Sequence, residues 1–221
     1  DWPADVRGTV HLGKRLEAAD FAISAPEGAN RVRVKVIGVV ENQAPTKALT
    51  AELGVTDGIV EGDAARDVCH IALVERHRGT GGVVNGFVSG FGYTGRMAMA
   101  STVAHDSHHM IVVGTSRDDM ARAANRLAEV GGGITVWRDG QELALVELPV
   151  AGLMSDAPAT EVAAKAEKMG EAMRACGCTL NNAYMQHSLL ALVVIPELRI
   201  SDLGLVDVTR FEITELIEET A

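Results

Sequence analysis

The sequence predicts an α+β fold of mixed α/β layers, β-rich through its first half and then ordered β-α-β-β-α. Three observations lead there. Residues 31–37, Arg31-Val-Arg-Val-Lys-Val-Ile37, alternate basic and apolar side chains without a break, the period of a half-buried strand. Two helix-length stretches, one after Ser116 and one over 159–175, both lie in the second half. Aromatic residues make up only 4% of the 221, so Ala, Val, Gly and Leu must fill the core, which suits closely packed layers.

Residues 1–30 have weak periodicity and several turn formers, among them Pro3, Gly8, Gly13, Pro26 and Gly28. They are expected to be a lead-in, the end of a preceding domain, with 31–221 as the domain proper. Strands are expected over 68–76 and 83–91, joined by the glycine-rich turn Arg78-Gly-Thr-Gly-Gly82, and a further strand over 97–103. Residues 109–114 read as a buried strand. Ser116 then offers an N-cap with Asp119 three residues on, and Gly131-Gly-Gly133 ends the helix. Asp139-Gly140 between 134–137 and 143–148 marks a hairpin. Residues 184–194 are apolar and fit either a helix or a buried strand, and 211–220 alternate loosely, as an edge strand would.

Composition narrows the function classes. A net charge of −10 argues against a nucleic-acid partner, which needs a basic face. No run approaches the roughly 18 apolar residues of a membrane span. The opening Asp1-Trp-Pro-Ala-Asp5 has neither a basic nor an apolar leader segment, and three cysteines with Cys176 and Cys178 one residue apart read as free thiols. A cytoplasmic location is therefore expected. The start at Asp rather than Met suggests a processed product or a piece of something longer.

The chemistry concentrates in Ser101-Thr-Val-Ala-His-Asp-Ser-His-His-Met110, where His105, Asp106, Ser107, His108 and His109 stand between apolar runs. Unpaired burial of such groups costs roughly 2–7 kcal/mol each on transfer scales. A strand end or loop beside a pocket is expected. If the segment were extended, His105, Ser107 and His109 would share one side, with Asp106 and His108 on the other. His105 and His108 are the weaker alternative as metal ligands. A Ser-His-Asp triad is disfavoured by adjacency and by the absence of a nucleophile elbow. Gly90-Phe-Gly92-Tyr-Thr-Gly95 has the spacing of a dinucleotide loop, but no convincing helix follows it. Ser155 or Asp156 is expected to cap the 159–175 helix, and Glu75 and Arg76 to be solvated strand-end charges.

Several ordered blocks resemble the C-terminal region of bacterial-type adenine deaminases, from about Val32 to Phe211. They are Glu41-Asn-Gln43 with Thr46-Lys47, Val74-Glu-Arg-His77, Gly86-Phe-Val-Ser-Gly-Phe-Gly92, the Ala104-His-Asp-Ser-His108 core, Gly131-Gly-Gly133, Leu148-Pro-Val-Ala-Gly-Leu-Met-Ser-Asp156, and Val194-Ile-Pro-Glu-Leu198 with Asp202-Leu-Gly-Leu-Val-Asp207. The resemblance implies an amidohydrolase-superfamily enzyme that hydrolyses adenine to hypoxanthine and ammonia in purine salvage. A divalent metal (Mn, Fe or Zn) would sit in a preceding (β/α)₈ barrel, with none expected in this chain. It also implies adenine and that barrel as partners, and a homo-oligomer. Within this chain it points to His105, Asp106, Ser107 and His108 as an auxiliary segment facing the active site. His109, Gly90, Gly92 and Ser155 are the substrate-side candidates, His109 standing where Asn is expected. The alternative is a free-standing purine-binding or assembly module without catalysis.

Overall fold

The computed structural model describes residues 3–218. In chain order its elements are β1 (Arg31–Gly38), β2 (Lys47–Thr56), β3 (Ile59–Val60), β4 (Cys69–Val74), β5 (Val83–Ser89), β6 (Met97–Ser101), β7 (Met110–Gly114), α1 (Arg117–Glu129), β8 (Gly133–Arg138), β9 (Gln141–Glu147), α2 (Ala159–Ala175), α3 (Ala183–Leu189), β10 (Leu198–Ser201), β11 (Gly204–Asp207), β12 (Glu212–Thr214) and β13 (Ile217–Glu218). One ten-stranded sheet runs β3-β2-β1-β5-β4-β7-β6-β8-β9 without closing, with β13 added on β1. A second sheet is β10-β11-β12. Of the described pairings only β1–β5 is parallel. This is the α+β class expected, and it is not a barrel.

Side-chain size sorts the two faces of the central strands. Ile71 and Leu73 of β4, Met97 and Met99 of β6, and Ile111 and Val113 of β7 point to one core. Ala72, Ala98 and Ala100 point to the other, with Val112. Large residues leave room to be filled by α2, α3 and the small sheet. The alanine face lets α1 approach closely through Ala123 and Ala124. Both faces are covered, so these strands read as continuous apolar runs rather than alternating ones. Residues 3–30 also join this second core. Leu12, Leu16 and Phe21 are buried in it, and the Asn125 side-chain amide of α1 donates to the Leu16 carbonyl and accepts from the Leu16 N–H.

The helix ends and the hairpin follow local rules. Ser116 Oγ accepts from the Asp119 N–H at 3.4 Å, and α2 occupies the residues its periodicity indicated. Asp139 and Gly140 both take positive φ, the form a two-residue hairpin loop needs. Other expectations need correction. The extended form of 105–109 is not adopted: 105–107 turn, and His108 has φ 51°. The 184–194 stretch resolves into α3 followed by turns. The 211–220 tail breaks into β12, an edge strand of the small sheet, and β13, with residues 219 and 220 outside the described part. Strand β2 was not anticipated, because Lys47-Ala-Leu-Thr-Ala-Glu-Leu favours helix locally and most of the strand is exposed. No described helix is long and apolar enough to cross a membrane. Cys69, Cys176 and Cys178 are buried free thiols.

Two core histidines make stability pH-dependent. His187 of α3 is wholly buried against Phe91, and burial pushes its pKa down to about 3. Burial, then the Arg117 charge, push His70 down to about 4. An unfolded histidine takes up its proton below about 6.5. Below that pH the unfolded chain binds more protons than the folded one, so acid destabilises the fold. The loss is about 1.4 kcal/mol per pH unit for each histidine. It continues until the folded pKa is reached, near 4 for His70 and near 3 for His187. Urea midpoints at pH 7, 6 and 5 should show this slope, and His187→Leu should remove one proton's share of it. An unchanged slope in that variant would contradict the assignment.

Candidate functional site

β4 and β7 are antiparallel neighbours with Val74 opposite Met110, so the segment after β4 and the segment before β7 meet at one end of the sheet. There the β4–β5 connection brings His77, the β6–β7 connection brings 105–109, and the β10–β11 turn brings Asp202. His109 Nε2 lies 3.5 Å from Asp202 Oδ2, and the His77 and His109 rings are 4.7 Å apart. His77 Nε2 donates to the Ser107 carbonyl at 2.8 Å, which leaves Nδ1 as an acceptor in the neutral ring. His109 is buried, and its Nδ1 has no partner among the described residues. Burial pushes its pKa down, against the opposing charge of Asp202. A neutral ring donating Nε2–H toward Asp202 leaves an unsatisfied acceptor at Nδ1. These groups line a cleft of about 380 Å³ with Glu75, Arg78 and Thr80.

The floor of the cleft is rigid for a reason that contradicts the sequence expectation. Glu75 and Arg76 are not solvated: they are 9% and 2% exposed. The Glu75 carboxylate accepts from the N–H groups of His77, Arg78 and Thr80 and from the Thr80 hydroxyl. Burial opposes its ionisation, yet these hydrogen bonds pull its pKa down to about 2. The Arg76 guanidinium donates to the carbonyls of His108, Thr9 and Ala151. One cation therefore ties the histidine turn to the chain start and to the loop after β9.

The candidate residues separate spatially. His105, half-buried, and the exposed Asp106 and Ser107 form the turn itself, with the His105 N–H donating to the Ser188 carbonyl at 2.9 Å. His108 Nδ1 accepts from the Ala104 N–H at 3.2 Å, and its ring lies 5.3 Å from that of His105. Only His109 of the five lines the cleft. As metal ligands, His105 and His108 lack a third donor: among the described residues no group of three or more His, Cys, Asp or Glu side chains could hold an ion. Gly90 and Gly92 follow β5 at its far end, where both N–H groups donate to Asp67 at 2.7 and 2.8 Å. They are not brought together with His109. Strand β6, not a helix, follows them. Ser155 does not cap α2, whose N-cap is Pro158; its Oγ accepts from the Ala157 N–H, and Asp156 pairs instead with Arg7 at 2.6 Å. The sequence reading missed Asp202 and the packing of Arg76. Their only signal was membership in the Asp202-Leu-Gly and Val74-Glu-Arg-His77 blocks.

Over residues 43–212 the sequence matches the family described as adenine deaminase C-terminal domain. The chain belongs to this family. Among its curated relatives is an adenine deaminase from Ruegeria pomeroyi, 78% identical over 100% of this chain and 37% of that protein. Another, from Moorella thermoacetica, is 46% identical over 98% of this chain and 36% of that protein. The chain thus spans a little over a third of the length of the adenine deaminases it matches. As a member of the C-terminal domain family it carries the His77–His109–Asp202 cleft on an α+β domain rather than on a barrel.

Proposed function

We propose that this chain is the C-terminal part of an adenine deaminase, which hydrolyses adenine to hypoxanthine and ammonia in cytoplasmic purine salvage as a homo-oligomer, and that its histidine cleft faces the mouth of the active site. A divalent metal (Mn, Fe or Zn) in the preceding barrel would supply the activated water. The described residues of this chain are not fitted to hold it, and no step runs through them to a metal. Their part is to position. His77, His109 and Asp202 line one cleft together, a polar wall suited to the polar edge of a purine. The histidine turn, tied down by Arg76, walls off water. The observation that carries this is the meeting of His77, His109 and Asp202, brought from three separate connections, on one cleft.

The test is His109→Leu in the full-length enzyme. The expected result is a fall in kcat/KM for adenine of at least about tenfold, equivalent to ~1.4 kcal/mol of transition-state stabilisation. His109→Asn should recover most of that loss, since an amide also donates and accepts. A kcat/KM for His109→Leu within about twofold of wild type would remove the cleft from the reaction.

A further inference from the structure

We propose that the exposed surface of the β10–β12 sheet, with Ile213 on β12, Leu203 in the β10–β11 turn and Phe211 just before β12, is the seat of the preceding portion of the longer protein. The proposal rests on the reading that this chain is the C-terminal part of an adenine deaminase. Leu203 is 74% exposed, Phe211 87% and Ile213 57%, among the most exposed large apolar residues described. Exposed apolar side chains are unremarkable singly but mark interaction sites when they share a face. Here Leu203 stands at one end of β11, Phe211 beyond its other end and Ile213 on the neighbouring β12, so the three span one small sheet. Ile200 and Leu205 pair across β10–β11 and are buried on its inner side. Val206 pairs with Ile213 on the other side, and Ile213 lies directly over Gly204, the neighbour of Leu203.

Two observations choose the occupant. The first is length: the relatives are longer by nearly two-thirds of their own chain, and the matching family is a C-terminal domain, so the missing part precedes this one. The second is place. Val6 accepts at its carbonyl from the Ala151 N–H, Thr9 accepts from Arg76, and Arg76 in turn donates to His108. The beginning of the chain is therefore held beside the histidine turn. The β10–β11 turn reaches the same end of the large sheet, where Asp202 approaches His109. A preceding domain delivered there meets Leu203 immediately beside Asp202. Seating it on this face would bring its surface over the His77–His109–Asp202 cleft.

Hydroxyl-radical footprinting of the full-length protein tests this with two residues of one type. Leu49 on β2 is 40% exposed and Leu203 is 74% exposed, so on this domain alone Leu203 should oxidise faster. If the seat is occupied, Leu203 reacts at least about fivefold more slowly than Leu49. Phe211→Asp, a change at an exposed site, then raises the Leu203 rate above that of Leu49. Leu203 reacting faster than Leu49 in the wild-type protein would overturn the proposal. Protection that disappears on dilution to a monomer would overturn it too, by assigning the face to a second copy. The outcome separates cleanly from that of His109→Leu. A protected Leu203 with undiminished His109→Leu activity removes the cleft's role and keeps the seat. The opposite pair removes the seat and keeps the role.

Discussion

Replacing Arg76 by Met in the full-length protein should lower the stability of this domain by about 3 kcal/mol, because charge-assisted hydrogen bonds each contribute about 1.5–3 kcal/mol and stranded buried acceptors are expensive. The guanidinium is 2% exposed and satisfies carbonyls from three separate segments, at Thr9, His108 and Ala151. Methionine fills much of the same volume but donates nothing, so all three half-buried carbonyls lose their donor. In a domain of this size ~3 kcal/mol corresponds to a fall in melting temperature of about 6–12 °C. Because His108 adjoins the cleft, kcat/KM for adenine should fall as well. Arg76→Lys should not rescue either quantity fully, since a point-like ammonium cannot reproduce a planar fork spread over three directions. Calorimetry of Arg76→Met showing a shift under 2 °C would mean that Arg76 is not the tie described.

Gly132→Ala should be still more damaging. Gly132 has φ +117°, a conformation L side chains rarely adopt, and an added Cβ would stand 2.5 Å from Gly152 Cα. Backbone strain of this kind costs on the order of 1–3 kcal/mol, and a clash with backbone cannot be relieved by rotating a side chain. The neighbourhood leaves no slack. Thr102 Oγ1 donates to the Gly152 carbonyl at 2.6 Å and accepts from the Gly133 N–H at 2.8 Å, while the Leu148 N–H donates to the Gly132 carbonyl at 2.9 Å. Gly152 is itself pressed on Arg76, whose Nη1 lies 2.9 Å from where a Cβ would be. The expected loss is about 4 kcal/mol or more, read as loss of soluble expression or a collapsed denaturant midpoint. Near-wild-type stability would show that the 131–133 and 148–152 loops are not packed as described.

Much of the layer order was legible because its signals are local. Ser116 at a helix start, Gly131 at its end, Asp139-Gly140 between two apolar runs and the periodicity of 159–175 each act within a few residues, and each element formed where they indicated. What escaped is what depends on distant partners. β2 carries helix-forming residues and becomes a strand only because β1 offers an eight-residue ladder, Arg31 to Gly38 against Gly54 to Lys47. Glu75 and Arg76 look like surface charges in any window. Their burial is decided by the 77–80 turn and by carbonyls 32 to 75 residues away. In the candidate site the density of polar residues drew attention to 105–109, and the structure places that turn at a cleft. It could not reveal that His109 faces the cleft while His105, Asp106 and Ser107 form the turn beside it. Nor could it show that Asp202 completes the group, since that contact joins the β6–β7 connection to the β10–β11 turn.

The most direct test of the cleft's role is carbethoxylation of His77 in the full-length protein, followed residue by residue by mass spectrometry. His77 is exposed, and its Nε2 is held by the Ser107 carbonyl. With saturating hypoxanthine, the product in the proposed reaction, modification of His77 should slow at least about fivefold, because the cleft it lines then adjoins an occupied active site. An unchanged rate under saturation would place the purine elsewhere and contradict a cleft that opens on the reaction.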